Sequence, residues 1–151
     1  MKQFGLASAT FDLSKEIEKT KKFKGGGESE HHKKFKAFVA ANPEVLGFGK
    51  HLMLEEIEYK FLSGDTVDVM FTEKDLKVAV EVKSDISSIE DVLRGLFQCV
   101  KYKSLIEAEQ IVQNQPPNSC VILALQGSLP DNLVEVKNVL GITVVDNIKI
   151  K

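Results

Sequence analysis

The sequence contains no apolar segment long enough to cross a membrane. A membrane-spanning helix needs about 20 consecutive, mostly apolar residues, and every apolar run in this chain is far shorter. The N-terminal stretch MKQFGLASATFDLSKEIEK also lacks the continuous apolar core of a secretory signal peptide. We therefore expect a cytoplasmic protein that has no membrane partner.

Cysteine is scarce, and its placement argues against two common kinds of site. The chain has only Cys99 and Cys120, each inside an apolar run. They show neither the CxxC spacing of a metal or redox site nor the dense, even pattern of a disulfide framework. We expect two buried free thiols in a domain whose 151 residues suffice for a core without covalent cross-links.

The chain also lacks a strong excess of charge of either sign. Its 20 basic and 22 acidic residues leave a net charge of −2, so no overall positive field indicates a nucleic-acid partner. The distribution is more informative, because eight lysines fall at positions 15, 19, 21, 22, 24, 33, 34 and 36. This local basic segment could contact phosphates, or it could be the solvated face of a helix.

Three consecutive glycines at 25–27 divide the chain into two parts. Residues 12–24 predict a short charged helix, and the glycines interrupt any regular structure that follows it. We therefore expect a basic helical extension with a glycine-rich hinge over residues 1–27 and a folded domain over residues 28–151.

The hydrophobic pattern of the folded domain alternates between the helical period and the strand period. Asn42-Pro43 ends the first helix, and Ser87 with Glu90 forms a capping-box pattern for the second. The predicted elements are, in order, a helix over 28–41, strands over 53–61, 66–71 and 76–83, a helix from Ser87 to about Gln110, a strand over 120–125, a helix over 128–140 and a strand over 142–146. This order indicates an α/β domain.

The most informative stretch is VDVMFTEKDLKVAVEVKSD, residues 67–85, which predicts two strands joined by a turn over 72–75. In the first strand, the period of two places Asp68 on the face opposite the apolar residues. In the second strand, Glu81 and Lys83 share the face opposite a run of valines. Folding the strands together therefore brings two carboxylates and an ammonium to one side of the sheet.

These three residue types suit metal-assisted hydrolysis of a phosphodiester. Asp68 and Glu81 supply the hard oxygen ligands that Mg²⁺ prefers. Lys83 can orient or deprotonate a water molecule, or stabilise charge that builds up on a phosphate. The same residues can also form cross-strand ion pairs on a solvated sheet face, so the pattern alone is compatible with both interpretations.

The segments SGDTVDVMF, VAVEVKS and RGLFQCVKY together resemble the PD-(D/E)XK nuclease superfamily. The resemblance covers about residues 28 to 145 and implies a restriction endonuclease-like α/β fold, with an αβββαβ core and a mixed central sheet flanked by helices. Val67 stands where the superfamily name has proline. Gln98 and Tyr102 look like the Gln-x-x-x-Tyr pair that several branches of the superfamily carry on the following helix.

The resemblance also implies a role for each site residue. Asp68 and Glu81 would hold Mg²⁺ or Mn²⁺, with the Val82 carbonyl as a further ligand. Lys83 would position the nucleophilic water, and Gln98 would orient Lys83 or the phosphate.

The stretch GESEHHKKFKAFVAANPEVLG resembles the first helix of such nucleases, where a glutamate often assists the metal site. We favour Glu28 over Glu30 for this role, because Glu28 precedes His32, Phe35 and Val39 at helical spacing.

The expected function is therefore that of an Mg²⁺-dependent nuclease, acting on DNA in preference to RNA. The alternative is a non-catalytic module that keeps the nuclease fold and binds nucleic acid or a protein partner through its basic segment or a sheet edge. The sequence leaves open the sequence preference, the choice between endo- and exonuclease action, and whether the chain works in a homodimer or a larger complex.

Overall fold

The computed structural model describes residues 28–151. The basic extension and hinge predicted for residues 1–27 lie outside this range. The described helices are α1 (Glu30–Ala41), α2 (Ile89–Val112) and α3 (Val134–Leu140). The strands are β1 (Met53–Lys60), β2 (Thr66–Glu73), β3 (Leu76–Lys83), β4 (Ser119–Leu125) and β5 (Thr143–Val145). Two 3-10 turns, Pro43–Leu46 and Asp131–Leu133, follow α1 and precede α3.

The strands form one five-stranded sheet in the order β1-β2-β3-β4-β5. The β1–β2 and β2–β3 pairs are antiparallel, whereas the β3–β4 and β4–β5 pairs are parallel. Helix α2 makes the crossover that a parallel pair requires, between β3 and β4. The predicted mixed sheet is confirmed, and the strand that carries Glu81 and Lys83 lies at its centre.

Apolar side chains cover both faces of the central strands. On one face, Phe35 and Val39 of α1 pack against a cluster that includes Val80 and Ile122. On the other face, a second cluster contains Met70, Ala79, Leu96, Cys99, Tyr102, Ile106 and Leu123. The continuously apolar run of β4 reflects this burial on both sides.

The hairpin between β2 and β3 is tighter than the sequence predicted. The strands pair as far as Glu73 and Leu76, so the loop is Lys74-Asp75 rather than residues 72–75. Lys74 has a φ of 55°. Two-residue loops with a left-handed first residue match the twist of the paired strands, and this match lets the pairing continue beyond the predicted end at residue 71.

All three helices begin later than predicted, and α1 begins at Glu30, so Glu28 precedes the helix. The N-cap of α2 is Ser88, which forms a capping box with Asp91, instead of Ser87 with Glu90. The Ser87 N–H is already bonded to the Ser84 carbonyl in the preceding turn. The region predicted as a helix over 128–140 is helical in α3 only from Val134, because Pro130 is extended (φ −58°, ψ 138°) and leads into a 3-10 turn.

The prediction of two buried free thiols is confirmed only in part. Cys99 and Cys120 are free thiols, as expected, but Cys120 is only half-buried because it lies near the beginning of β4. Among residues 28–151, no helix is both long and apolar enough to cross a membrane.

Candidate active site

Asp68 lies in β2 where the regular pairing with β3 ends at the Val69–Val80 pair. The expected alternation is interrupted here, because Val67 packs on the α2 side of the sheet and Val69 on the α1 side. The Asp68 carboxylate is instead fixed by the main chain of β3: Val82 donates its N–H to Oδ2 over 2.9 Å. This hydrogen bond attaches Asp68 to β3, the strand that carries Glu81 and Lys83.

Glu81 is a buried acid with an incomplete set of hydrogen bonds. It is 7% exposed, and its Oε1 has no hydrogen-bond partner in the described part of the chain. Burial, followed by the negative charge of Asp68, raises the pKa of Glu81 to about 8. A buried oxygen without a partner is costly, so this site favours either a proton or a cation at Glu81.

Asp68 has the opposite tendency to its neighbour. Burial alone would raise its pKa, but His32 and the N–H of Val82, together with the charge of Lys36, hold the pKa of Asp68 below its usual value. Both His32 Nε2 and Lys36 Nζ lie 3.9 Å from Asp68 Oδ1. The two adjacent acids therefore prefer different protonation states, an arrangement that is common at functional sites.

Lys83 is held between β3 and α2. Its Nζ lies 4.0 Å from Glu81 Oε2. A Cβ atom added at Gly95 of α2 would lie 3.1 Å from Lys83 Cε and 2.9 Å from Leu123 Cδ1. Gly95 therefore leaves the space through which the lysine side chain passes.

Helix α2 places two further predicted residues on the face that carries Gly95. Gln98 Oε1 is buried and has no hydrogen-bond partner among residues 28–151. The Tyr102 hydroxyl donates to the Thr66 carbonyl over 2.9 Å, and burial, with the nearby charges of Glu81 and Asp68, raises the pKa of Tyr102. Tyr102 therefore joins α2 to the beginning of β2, while Gln98 retains an acceptor with no partner.

A polar cluster of Glu28, His32, Lys36 and Glu58 lies where α1 meets the sheet, and we call it the α1 network. Lys36 Nζ donates to Glu28 at 2.8 and 3.0 Å and to Glu58 of β1 at 2.8 Å. His32 Nε2 lies 3.2 Å from Glu28 Oε2. Burial by itself would lower the pKa of Lys36, but its hydrogen bonds to Glu28 and Glu58 raise it, so the ammonium stays charged.

The two glutamates that we considered as assisting the metal site, Glu28 and Glu30, have different surroundings. Glu28 contacts His32 and Lys36, the two side chains that flank Asp68. Glu30 is 82% exposed and lies 3.6 Å from Lys33. Glu28 is thus the glutamate close to the site, although His32 and Lys36 stand between it and Asp68, and its predicted help to a metal stays a prediction.

The donor set fits a magnesium-like ion only if that ion keeps other ligands. Among residues 28–151, no group of three or more His, Cys, Asp or Glu side chains is placed to hold a metal. Magnesium, however, often binds one or two carboxylates and completes its shell with water and phosphate oxygens. Glu81 offers an unpartnered oxygen, Asp68 lies beside it, and the Val82 carbonyl points to the same side as its N–H.

No protein-family model and no curated protein matches the sequence. Solved structures do match the fold. A repair endonuclease from Pyrococcus abyssi superposes with a TM-score of 0.53 and 22% identity, over 79% of this chain and 46% of that chain. The complex of EndoMS with dsDNA gives a TM-score of 0.51 and 17% identity, over 74% of this chain and 42% of that chain.

A third similar structure is an XisH family protein from Nostoc punctiforme PCC 73102, with a TM-score of 0.53, 16% identity, and coverage of 72% of this chain and 85% of that chain. This chain has a restriction endonuclease-like fold. The predicted PD-(D/E)XK-like fold is thereby confirmed. The chain spans less than half the length of the first two proteins, and at these identities the likeness concerns the fold alone.

Within this restriction endonuclease-like fold, the sequence missed three residues that shape the site. Gly95 had a detectable signal, because a glycine inside a strongly periodic helix usually has a packing reason. Lys36 and Glu58 had none, because a lysine on a helix and a glutamate on an edge strand are ordinarily solvated. Their pairing across 22 positions becomes visible only in the folded chain.

Proposed function

We propose that this domain is a metal-dependent nuclease that hydrolyses phosphodiester bonds, with DNA as its preferred substrate. The observation that carries the proposal is Glu81, a buried acid with an unpartnered oxygen, a pKa raised to about 8, and a second carboxylate beside it. A site built for structure alone would satisfy that oxygen. A site for a cation leaves it available.

In this proposal, Asp68, Glu81 and the Val82 carbonyl hold Mg²⁺ or Mn²⁺. The ion would supply positive charge that polarises the phosphate and acidifies a water molecule. Burial strengthens each of these interactions, because water is excluded from much of the site. Glu81, which favours its protonated form without a metal, would lose its proton when the ion binds.

Lys83 and Gln98 act on the reacting groups. Lys83 follows Glu81 by two residues, and its stem is confined at Gly95, so its ammonium is preorganised beside the carboxylate. There it positions the attacking water or stabilises the charge on the phosphate. Gln98 has a buried acceptor that can receive a hydrogen bond from Lys83 and so orient it, or its amide can contact the phosphate.

DNA is the proposed substrate because two of the similar structures are described as a repair endonuclease and as a complex with dsDNA. Both proteins contain more residues outside the matched region than within it. The preference for DNA over RNA therefore requires its own test.

The test is cleavage of supercoiled, linear and single-stranded DNA and of RNA, with Mg²⁺, Mn²⁺ or a chelator. Wild type is compared with Lys83→Ala and Lys83→Arg. The matched control is Lys77→Ala, which removes a lysine of the same strand that pairs with Glu55. We expect Lys83→Ala to lower kcat by about a hundredfold or more, because a preorganised charge is lost. Lys83→Arg should not restore activity, since guanidinium almost never acts as a base.

Equal cleavage by all four proteins would mean that the activity comes from another site or from a contaminant. If no substrate is cut while the fold is intact, the alternative of a non-catalytic interaction module replaces the enzyme. Binding of the same nucleic acids, measured in parallel, then identifies whether that module binds nucleic acid.

A further inference from the structure

We propose that Lys36 is a positioning residue for the candidate site. Glu28 and Glu58 hold its ammonium beside Asp68, close enough to fix that carboxylate but without a direct hydrogen bond to it. The value of this arrangement for metal binding rests on the function proposed above. The positioning itself is a property of the folded chain and can be measured without a metal.

The first observation is the burial of Lys36. The residue is 5% exposed, and a buried ammonium is strongly disfavoured unless several acceptors surround it. Its acceptors come from different parts of the chain: Glu28 precedes α1 and Glu58 belongs to β1. Lys36 therefore joins α1 to the edge strand β1, next to Asp68.

The second observation is the backbone of β1. The β1–β2 register shifts between Leu54 and Glu56, and Glu58 has a φ of 59°. Bulges redirect side chains, and a glutamate in the left-handed region persists only where its surroundings require it. Here the hydrogen bond of Glu58 to Lys36, at 2.8 Å, supplies that requirement.

The third observation is the distance between Lys36 and Asp68. Lys36 Nζ lies 3.9 Å from Asp68 Oδ1, beyond hydrogen-bond range. Its donors are instead directed to Glu28 and Glu58, which keep the ammonium from moving onto Asp68. Oδ2 accepts from the Val82 N–H, so the carboxylate has a main-chain donor at one oxygen and the charge of Lys36 near the other.

A second polar contact of α1, which reaches the β3–α2 loop, cannot fix the Asp68 carboxylate by itself. His31 Nε2 lies 2.6 Å from Asp85 Oδ1, but the two side chains are 44% and 50% exposed. Exposed pairs of this kind contribute little, because water competes for both partners. The buried contacts of Lys36 are therefore the stronger of these two polar attachments of α1.

The experiment measures hydrogen exchange of the Val82 amide, by NMR, in the metal-free protein. We compare Lys36→Met, Glu58→Gln and the control Glu56→Gln, which neutralises an exposed glutamate of the same strand. If Lys36 holds Asp68 in place, Lys36→Met and Glu58→Gln should speed exchange at Val82 by about tenfold, as expected when a charged acceptor loses its fixed position. Glu56→Gln should leave it unchanged, and Lys36→Arg should restore most of the protection.

A second readout is the affinity of the same proteins for Mn²⁺, measured by calorimetry. Glu58→Gln removes one of the two carboxylates that hold Lys36, so Asp68 is less firmly positioned and we expect Mn²⁺ to bind about tenfold more weakly. The proposal is overturned if Val82 exchange is unchanged in both Lys36→Met and Glu58→Gln while the rest of the fold stays protected. Should Lys36→Met fail to fold, Glu58→Gln decides by itself. A response at Val82 in a protein that binds no Mn²⁺ and cuts no substrate would uphold the positioning role and reject the nuclease function.

Discussion

Val82 donates its main-chain N–H to Asp68 Oδ2 over 2.9 Å. This single contact fixes a carboxylate of β2 to the strand that carries Glu81, and so holds two acids next to each other in a largely buried place. Asp68 has further support from His32 and Lys36, whereas Glu81 has a buried oxygen that finds no hydrogen-bond partner among residues 28–151. The repulsion between the two carboxylates therefore disfavours the ionised form of Glu81 more than that of Asp68.

The stability of the metal-free protein should fall as pH rises, because of Glu81. Its pKa is about 8 in the folded chain, against an ordinary value of 4.5. Between these values the unfolded chain releases the proton that the folded chain keeps, so the free energy of unfolding decreases by at most about 1.4 kcal/mol per pH unit. Below about pH 4.5 the acid is protonated in both states, and its contribution is constant.

Glu81→Gln removes this dependence. Urea unfolding at pH 5, 6, 7 and 8, with a chelator present, should show that the variant exceeds wild type most at pH 8 and least at pH 5. Asp68→Asn should give a weaker version of the same change, since it removes the like charge but not the burial. Parallel stability curves for wild type and Glu81→Gln would contradict the assignment.

Gly95→Ala should separate activity from stability. Alanine favours a helix over glycine by about 1 kcal/mol, but the added Cβ crowds Lys83 and Leu123. We expect cleavage to fall by about tenfold or more, since a small displacement of a preorganised group is costly, while the free energy of unfolding changes by less than about 1 kcal/mol. Gly127→Ala is the matched control, because its Cβ would meet nothing closer than Asp85 at 3.8 Å. An active Gly95→Ala enzyme would show that Lys83 does not need this space.

The sequence predicted the order of the elements because each has a clear local signal. Apolar and polar residues alternate in β2 and β3, α2 carries a long apolar stripe, and β4 is a continuous apolar run. Each pattern indicates from the local sequence which side chains are buried. The exact ends of the elements were less accessible. Whether Ser87 or Ser88 caps α2, for example, depends on the turn that the Ser84 carbonyl makes with the Ser87 N–H before the helix.

The site was only partly predictable for a related reason. Asp68, Glu81 and Lys83 are close together in the folded chain, because a hairpin converts sequence spacing into spatial proximity. The α1 network depends on the bulge of β1 and on the docking of α1, which no spacing rule encodes. Its charged residues are of the types found on any solvated protein surface, so the sequence does not distinguish them.

Gln110 should be essential to stability and irrelevant to catalysis. Its buried amide group donates to the Asp75 and Asn118 carbonyls and accepts from the Asn118 N–H, which joins the β2–β3 turn to the beginning of β4. Gln110→Leu removes these three hydrogen bonds, although the Asn118 carbonyl keeps the one from the Lys77 N–H, and should cost about 1–3 kcal/mol in chemical unfolding. The exposed Gln113→Leu serves as control. A loss of cleavage without a loss of stability would contradict this assignment.

Removal of residues 1–24 should test the five lysines of the basic segment that lie outside the described residues. If its lysines contact the nucleic-acid backbone, the truncated protein binds DNA more weakly and the dependence of log Kd on log salt becomes shallower. A full-length variant with glutamine at positions 15, 19, 21, 22 and 24 should behave alike, which separates charge from length. An unchanged salt dependence assigns the segment to a protein partner or to solubility.

The parallel pairing of β3 with β4 also determines the order in which the site can assemble during folding. The hairpin of β2 and β3 closes a short loop, so Asp68 can reach Val82 early. Glu81 loses its contact with water only after α2 has crossed and β4 has joined the sheet, a long-range step that is intrinsically slow. We therefore expect the cost of burying Glu81 beside Asp68 to arise late in folding and to affect the rate of unfolding more than the rate of folding.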